Sequence, residues 1–403
     1  MANVSSSNGL EKRPKLRFSE FNSNWTSIKL GLAGEFYGGL SGKSKEDFGH
    51  GDGKFITYRN VFSNTFASDK LLESVDIHQN ERQNRVQRGD VLFTQSSETF
   101  EEVGMSSVWL HSAEPFLNSF CMGWRPSSSD LNPVFLGYLL RTPTIRKQII
   151  CQGQGISRIN LAASRIGHID LYHPSLDEQL KIANILSLLD QRIEAVCKII
   201  EYLKKYKRGF LRESFSKQND WDVLPISSIG KVVTGSTPPT DNPENYGGNK
   251  LFCAPSDVGT EKYISSTIKR VSEKGFYTGR IIPKGTILVT CIGLIGKLGI
   301  AMQDMITNQQ INSLIVAPFF DNEFVYYALE YALPRYAAQA SMQTMPILSK
   351  SEFEKITLQL PDIKKQKEIS QPLALLDRKI ATLTLVLENL IALKNGLLEK
   401  LFI

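Results

Sequence analysis

The amide run Asn308-Gln309-Gln310, with Asn312 beyond it, places several carboxamides together. A carboxamide presents a donor beside an acceptor, the pairing that reads the edge of adenine. Cations are scattered around it and through the first half of the chain. Lys43, Arg59, Arg125, Arg146, Arg158, Lys250, Lys297 and Arg335 can hold phosphates or guanines, and Tyr37, Tyr58 and Tyr246 can contact bases or sugars. Taken singly, each is also an ordinary surface or packing residue. The candidates for DNA contact are Lys43, Tyr58, Arg59 and Arg125 in the first half, and Lys250, Lys297, Asn308, Gln309 and Gln310 in the second.

Other chemistries fit poorly. Gly38-Gly39-Leu40-Ser41-Gly42-Lys43-Ser44 contains the Gly-Lys-Ser of a phosphate loop, but the required first glycine falls on Tyr37. The corresponding stretch of the second half, Val233 to Pro239, has no lysine, and its prolines would break the helix start whose amides bind phosphate. Asn132-Pro133 reads as a helix cap followed by proline at the first helical position. Gly153-Gln154-Gly155 and the glycines at 293, 296 and 299 suit turns. Cys121, Cys151, Cys197, Cys253 and Cys291 lie far apart, and the five histidines show no metal spacing. The expectation is a protein with no metal, no cofactor bound directly and no active site of its own.

The elements that must position these residues are written twice. Leu161 to Phe215 aligns without a gap on Leu348 to Phe402 at an offset of 187 residues, so that Pro174 meets Pro361, Gln179 meets Gln366 and Asp190 meets Asp377. Ile182, Leu186, Leu189, Ile193, Val196, Ile200 and Leu203 step by fours and threes, and Ile369, Leu373, Leu376, Ile380, Leu383, Leu387 and Leu390 repeat that step. Such a stripe is a coiled-coil seam. Upstream, Trp25 matches Trp221 and Gly89 to Thr94 matches Gly285 to Thr290, both at an offset of 196. Deletions in loops must absorb the nine-residue difference.

The domains expected are 1–155, a globular part; 156–219, a helical region; 220–345, a second globular part; and 346–403, a second helical region. Short β-rich runs, Val91 to Thr94 and Ile287 to Thr290, make the globular parts mixed α/β. Each helix runs about 38 residues, a rod on the order of 57 Å. Pro372 should kink the second helix or delay its start. Both seams end in a lysine, Lys207 and Lys394, and like charges would meet in a parallel pair; an antiparallel pair with a pseudo-twofold axis is therefore expected. Exposed Lys204, Lys205, Arg208 and Arg212 could meet phosphates or partner proteins. The +6 formal charge and pI near 8.9 suit an anionic partner. Nothing in the sequence reads as a signal peptide or membrane span, so a cytoplasmic protein is expected.

In this order, the motifs resemble the specificity subunit of a type I restriction-modification system. Pro14-Lys15-Leu16-Arg17-Phe18 with Trp25, the Gly-Ser-Thr-Pro loop at Gly235 to Pro238, the Gly-Thr-Ile-Leu-Val-Thr run, the Asn-Gln-Gln and the proline-glutamine opening of each helix carry the resemblance over nearly the whole chain. It implies two target recognition domains, each reading one half of a split, asymmetric site in double-stranded DNA. It also implies helices that dock two modification (methyltransferase) subunits, with restriction subunits added. S-adenosylmethionine, ATP and Mg are then expected on those partners. The first copy departs from the pattern, with Gly38 to Gly42 in place of the Gly-x-Thr-Pro loop and Asn118-Ser119-Phe120 near the place of Asn308 to Gln310. A DNA turn spans about 34 to 36 Å, so rods of this length suit two readers on separate half-sites. The residues alone leave open a duplicated coiled-coil scaffold without DNA binding, and an enzyme acting alone. Salt-sensitive duplex binding separates the first, and S-adenosylmethionine binding or ATP turnover the second.

Overall fold

A computed structural model describes residues 13–216, 220–340 and 347–403. Most of the polar start from Met1 to Lys15, and the expected end of the second globular part at Met345, lie outside the described residues. The chain folds as two compact units, one comprising the described residues up to Ala195 with Glu388–Ile403, the other Val196–Leu387.

In the first unit, Thr26–Lys29 pairs antiparallel with Asp170–His173, Thr26 standing opposite His173. This pairing draws the start and end of the globular part together where the helix leaves. Between them lies a four-stranded sheet in the order Gly34–Gly38, Cys121–Pro126, Val91–Thr94, Ser106–Val108. Val91–Thr94 is buried at every residue, which is why it reads as an unbroken apolar run rather than an alternating one. A second sheet orders Leu72–Val75, Phe48–Ile56 and Phe116–Leu117. The helix Pro133–Leu139 begins as the sequence suggests: Asn132 accepts from the Phe135 amide, with proline at the first position. Trp25, Trp124, Phe93, Phe135 and Leu136 form the core, joined by Ile182 and Leu186 of the long helix and by Leu401 and Phe402.

The second unit repeats the plan. Asp222–Pro225 pairs antiparallel with Thr357–Leu360. Its larger sheet orders Gly230–Thr234, Ile311–Val316, Ile287–Thr290, Leu298–Ala301 and Tyr263–Ile264. A four-stranded sheet orders Lys269–Val271, Tyr246–Cys253, Met305–Thr307 and Ile281–Ile282. Phe215 packs on Trp221 and Phe324 here as Phe402 packs on Trp25 and Phe135 in the first unit.

Two long helices, Leu176–Phe215 of 40 residues and Ile363–Leu401 of 39, each contribute to both units. In the first unit Lys394 meets Asp190 while Leu401 joins the core of Ile182 and Leu186; in the second, Lys207 meets Asp377 while Leu211 joins that of Ile369 and Leu373. Rising numbers on one helix meet falling numbers on the other, so the pair is antiparallel. All fourteen seam positions are buried or half-buried. Each lysine that would have met its like in a parallel pair meets an aspartate.

Pro372 does not delay the second helix, which begins at Ile363 and continues through the proline. Pro372 is exposed, so the carbonyl it leaves without a helical partner can face water. By length and apolar composition Ile363–Leu401 could cross a membrane, but Leu376, Ile380, Leu383 and Leu387 are half-buried in the protein.

Candidate nucleic-acid interface

The amide run forms the turn between Met305–Thr307 and Ile311–Val316, beside the end of Ile287–Thr290, the central strand of the second unit's larger sheet. Asn308 is a turn builder: its Oδ1 accepts from the Gln310 amide at 3.1 Å and its Nδ2 donates to Gln310 Oε1 at 3.1 Å. Its backbone amide donates to Cys253 O, and Ile311 N donates back to Asn308 O. Gln309 stays exposed, held by Thr237 Oγ1 donating to its Oε1 at 2.7 Å. On the other side of the same strand Lys297 N donates to Thr290 Oγ1 at 3.0 Å. The Lys297 ammonium has no ion pair among the described residues, so Gln309 and Lys297 flank one strand end with their polar groups available.

The first unit builds the same turn from different residues. Asn118 Oδ1 accepts from the Phe120 amide at 2.9 Å, Asn118 N donates to Ile56 O and Cys121 N donates to Asn118 O. Gly39 N donates to Cys121 O as Gly235 N donates to Ile311 O. A Cβ on Gly39 would sit 2.1 Å from Asn118 O, and one on Gly235 2.1 Å from Asn308 O, so each glycine is demanded by the backbone it crosses. The two loops that differ most in sequence thus share one scaffold. Matching hydrogen bonds place Phe120 at Gln310 and Met105 at Lys297. The offset between copies falls from 196 at Gly39/Gly235 to 192 at Met105/Lys297, 190 at Asn118/Asn308 and 187 at Leu161/Leu348, so the deletions are spread over several loops.

Several candidate cations are committed to the fold. Lys43 has a side chain only 2 % exposed and pairs with Glu81 at 2.5 Å. That ammonium, with the Gln83 amide, holds the Glu81 carboxyl down to about 2. Arg125 grips Asp90 through Nε at 2.9 Å and Nη2 at 2.7 Å, while Tyr37 Oη donates to the same carboxylate at 2.6 Å. Asp90 raises the Arg125 guanidinium above its usual value, and burial with that carboxylate raises the Tyr37 phenol. Arg146 donates to the carbonyls of Gly104, Glu101 and Val103, and Tyr246 Oη to Pro238 O. Burial lowers Arg146 to about 10. Lys43, Arg125, Arg146, Tyr37 and Tyr246 therefore fasten the loops rather than standing open to a ligand.

The rest are more accessible. Arg59 is exposed, with no ion pair or side-chain hydrogen bond among the described residues. Tyr58 is half-buried, its hydroxyl 2.7 Å from Ser97 Oγ. Lys250 pairs with Glu273 at 3.4 Å and lies over the Phe276 ring. Arg335 lies over Tyr331, and Arg158 over Phe120. Tyr58, Phe120 and Arg158 share one hollow; Lys43 and Arg125 are not part of it. Lys204, Lys205, Arg208 and Arg212 are exposed.

The joints between readers and helices also repeat. Gln179 Oε1 accepts from the Asn132 amide and its Nε2 donates to Pro174 O; Gln366 does the same with Asp321 N and Pro361 O. Both glutamines are buried, so each ties a helix start to the cap of a reader helix. Tyr138 donates to Asp190 at 2.8 Å and Tyr327 to Asp377 at 2.6 Å. The second joint adds Lys262, whose ammonium bonds Glu323 and Tyr327, the latter at 2.6 Å. It lies over the rings of Tyr263, Tyr326 and Tyr327. Burial lowers the Lys262 ammonium below its usual value against the pull of Glu323, and burial followed by Asp377 raises the Tyr327 phenol. The glutamines and aspartates were visible as matched positions, but their partners, some fifty residues away, were not.

The family model for the type I restriction modification DNA specificity domain matches twice, at residues 22–205 and 218–392. A type I restriction enzyme specificity subunit of Methanocaldococcus jannaschii, MjaX, is 26% identical over 321 residues, 72% of each chain. A second from that organism, MjaIX, is 33% identical over 164 residues, covering 39% of this chain and 38% of its own. The crystal structure of a type I restriction-modification S subunit from M. genitalium covers 97% of this chain and 99% of its own, with a TM-score of 0.67. At 17% identity that likeness concerns the fold. Two matched domains spanning most of the sequence place the protein in the type I restriction-modification DNA specificity family, as a non-catalytic specificity subunit.

Proposed function

We propose that this subunit reads a bipartite, asymmetric site in double-stranded DNA. One half-site belongs to each globular domain, 1–155 and 220–345, and two modification subunits dock on the helical regions 156–219 and 346–403. The observation that carries the reading is one turn built twice with different chemistry, Asn118-Ser119-Phe120 in one unit and Asn308-Gln309-Gln310 in the other. A shared scaffold with unlike reading residues suits two unlike half-sites. Gln309 and Lys297 are the contacts proposed for the second half-site, and Tyr58 and Arg59 for the first, with Lys250 on the flank.

Docking of paired partners is supported by exposed apolar residues that recur at the offset of 187. Leu188 and Leu393 are exposed on the helices of the first unit, and Leu375 and Tyr206 on those of the second. A partner that fits one set meets a near copy in the other. Half-site separation then follows helix length, about 60 Å at 1.5 Å per residue for 40 residues. Restriction subunits complete the assembly in the cytoplasm, and S-adenosylmethionine, ATP and Mg bind those partners.

The test is duplex binding by the assembled complex across a salt series. Affinity for a cognate duplex should fall linearly in log–log form with salt, the slope counting the phosphates neutralised. A flat response, or no duplex binding, would leave only a protein scaffold.

A further inference from the structure

The hollow beside the Asn118 turn has a lining unlike the side chains of the Asn308 turn. It measures ≈ 260 Å³ and is lined by Tyr58, Ser97, Glu98, Glu102, Phe120 and Arg158 among others. Phe120 is 51% exposed, and the Arg158 guanidinium stands 5.7 Å from the centre of its ring. The Tyr58–Ser97 hydrogen bond fixes one side. Two carboxylates in the lining repel phosphate, so the DNA backbone is the wrong occupant even though an arginine is present.

We infer that the first domain reads a G·C pair next to a thymine through Arg158, Glu98 and Phe120, whereas the second reads adenine through the amide of Gln309. The inference rests on the bipartite reading above. A guanidinium fork matches O6 and N7 of guanine, and a carboxylate accepts from N4 of the cytosine paired with it. Within one hollow, a base pair with an acceptor face and an amino donor uses the arginine and the carboxylates together. An exposed phenyl ring is suited to the thymine methyl group. Stacking on Phe120 orients the Arg158 fork before binding, so less of the side chain's freedom is lost. At the equivalent place the second unit offers Gln310, Gln309 and Lys297, with no aromatic ring and no carboxylate on the turn. The same position in the fold thus selects different bases through different side chains and, between Thr94 and Met105, a loop four residues longer than that between Thr290 and Lys297.

The experiment maps modified bases in a host carrying the complete system with wild-type subunit, Arg158→Ala, Arg158→Lys, Phe120→Ala or Gln309→Ala. Arg158→Ala should relax one G position of a single half-site and lower affinity for the original site about 5- to 150-fold, with Arg158→Lys falling between it and the wild type. Arg158→Lys keeps the charge but loses the planar fork, so a phosphate contact would survive it unchanged while a guanine contact would weaken. Phe120→Ala should relax the neighbouring thymine, and Gln309→Ala an adenine in the other half-site. An unchanged motif in the Arg158 and Phe120 variants overturns the inference while leaving the bipartite reading intact. Arg158→Ala with the wild-type motif, or changes falling in the half-site that Gln309→Ala alters, also overturns it. A wild-type motif that is not bipartite sinks both.

Discussion

Asp377→Ala should destabilise the protein more than Asp190→Ala, although the two aspartates hold matching positions. Asp377 lies 2.7 Å from the Lys207 ammonium, 3.5 Å from that of Lys262, and accepts from Tyr327 at 2.6 Å. Its side chain is 15% exposed, and those of Lys207 and Lys262 13% and 8%. Removing one member of such a sheltered cluster leaves cations facing each other, a loss of about 3–5 kcal/mol. Glu330 near Lys207 and Glu323 near Lys262 keep each ammonium paired, which puts the expected loss near the lower end. Asp190 and Lys394 are 33% and 21% exposed, so water replaces much of the attraction. That pair contributes about 0.2–1 kcal/mol, and the Tyr138 hydrogen bond about 1 kcal/mol more. Calorimetry on the full chain should show a lower transition for Asp377→Ala, by roughly 2–4 °C per kcal/mol of difference between the variants. Equal shifts, or a larger one for Asp190→Ala, would refute the argument that burial sets the value of these bridges.

Gln179→Ala and Gln366→Ala should each lower stability by about 1–3 kcal/mol, because each strands a backbone amide and a carbonyl that are at least half-buried, as read in urea titrations. The Lys43–Glu81 clip should respond to acid. Glu81 is held at about 2, below its unfolded value, so its contribution is full above about pH 4.5 and disappears as pH falls toward 2. Glu81→Gln should flatten the stability profile in that window and leave it unchanged near neutrality apart from a constant offset; an unaltered acid profile would count against the clip.

The duplication and the seam were legible because both are written as spacing. Ile182 to Leu203 and Ile369 to Leu390 repeat a step that only a helix can use, and the antiparallel sense followed from where Lys207 and Lys394 fall. Pro372 was misleading about the helix start because tertiary packing of Ile369 and Leu373 holds turns on both sides of it. Among the cations, type alone could not separate ligand from brace. Arg125 finds Asp90 thirty-five residues away and Arg146 finds carbonyls more than forty away, distances no local pattern encodes. The match between Asn118 and Asn308 was blurred by stepwise deletions, and only the shared backbone hydrogen bonds align it.

A genome-wide map of modified bases in a host with and without this gene, its partner genes intact, tests directly whether the subunit holds two different readers. Loss of the gene should remove one motif made of two unlike halves separated by unread base pairs, with all other motifs retained. A gene deletion that removes no motif, or that removes one continuous palindrome, would contradict a subunit built from two different readers.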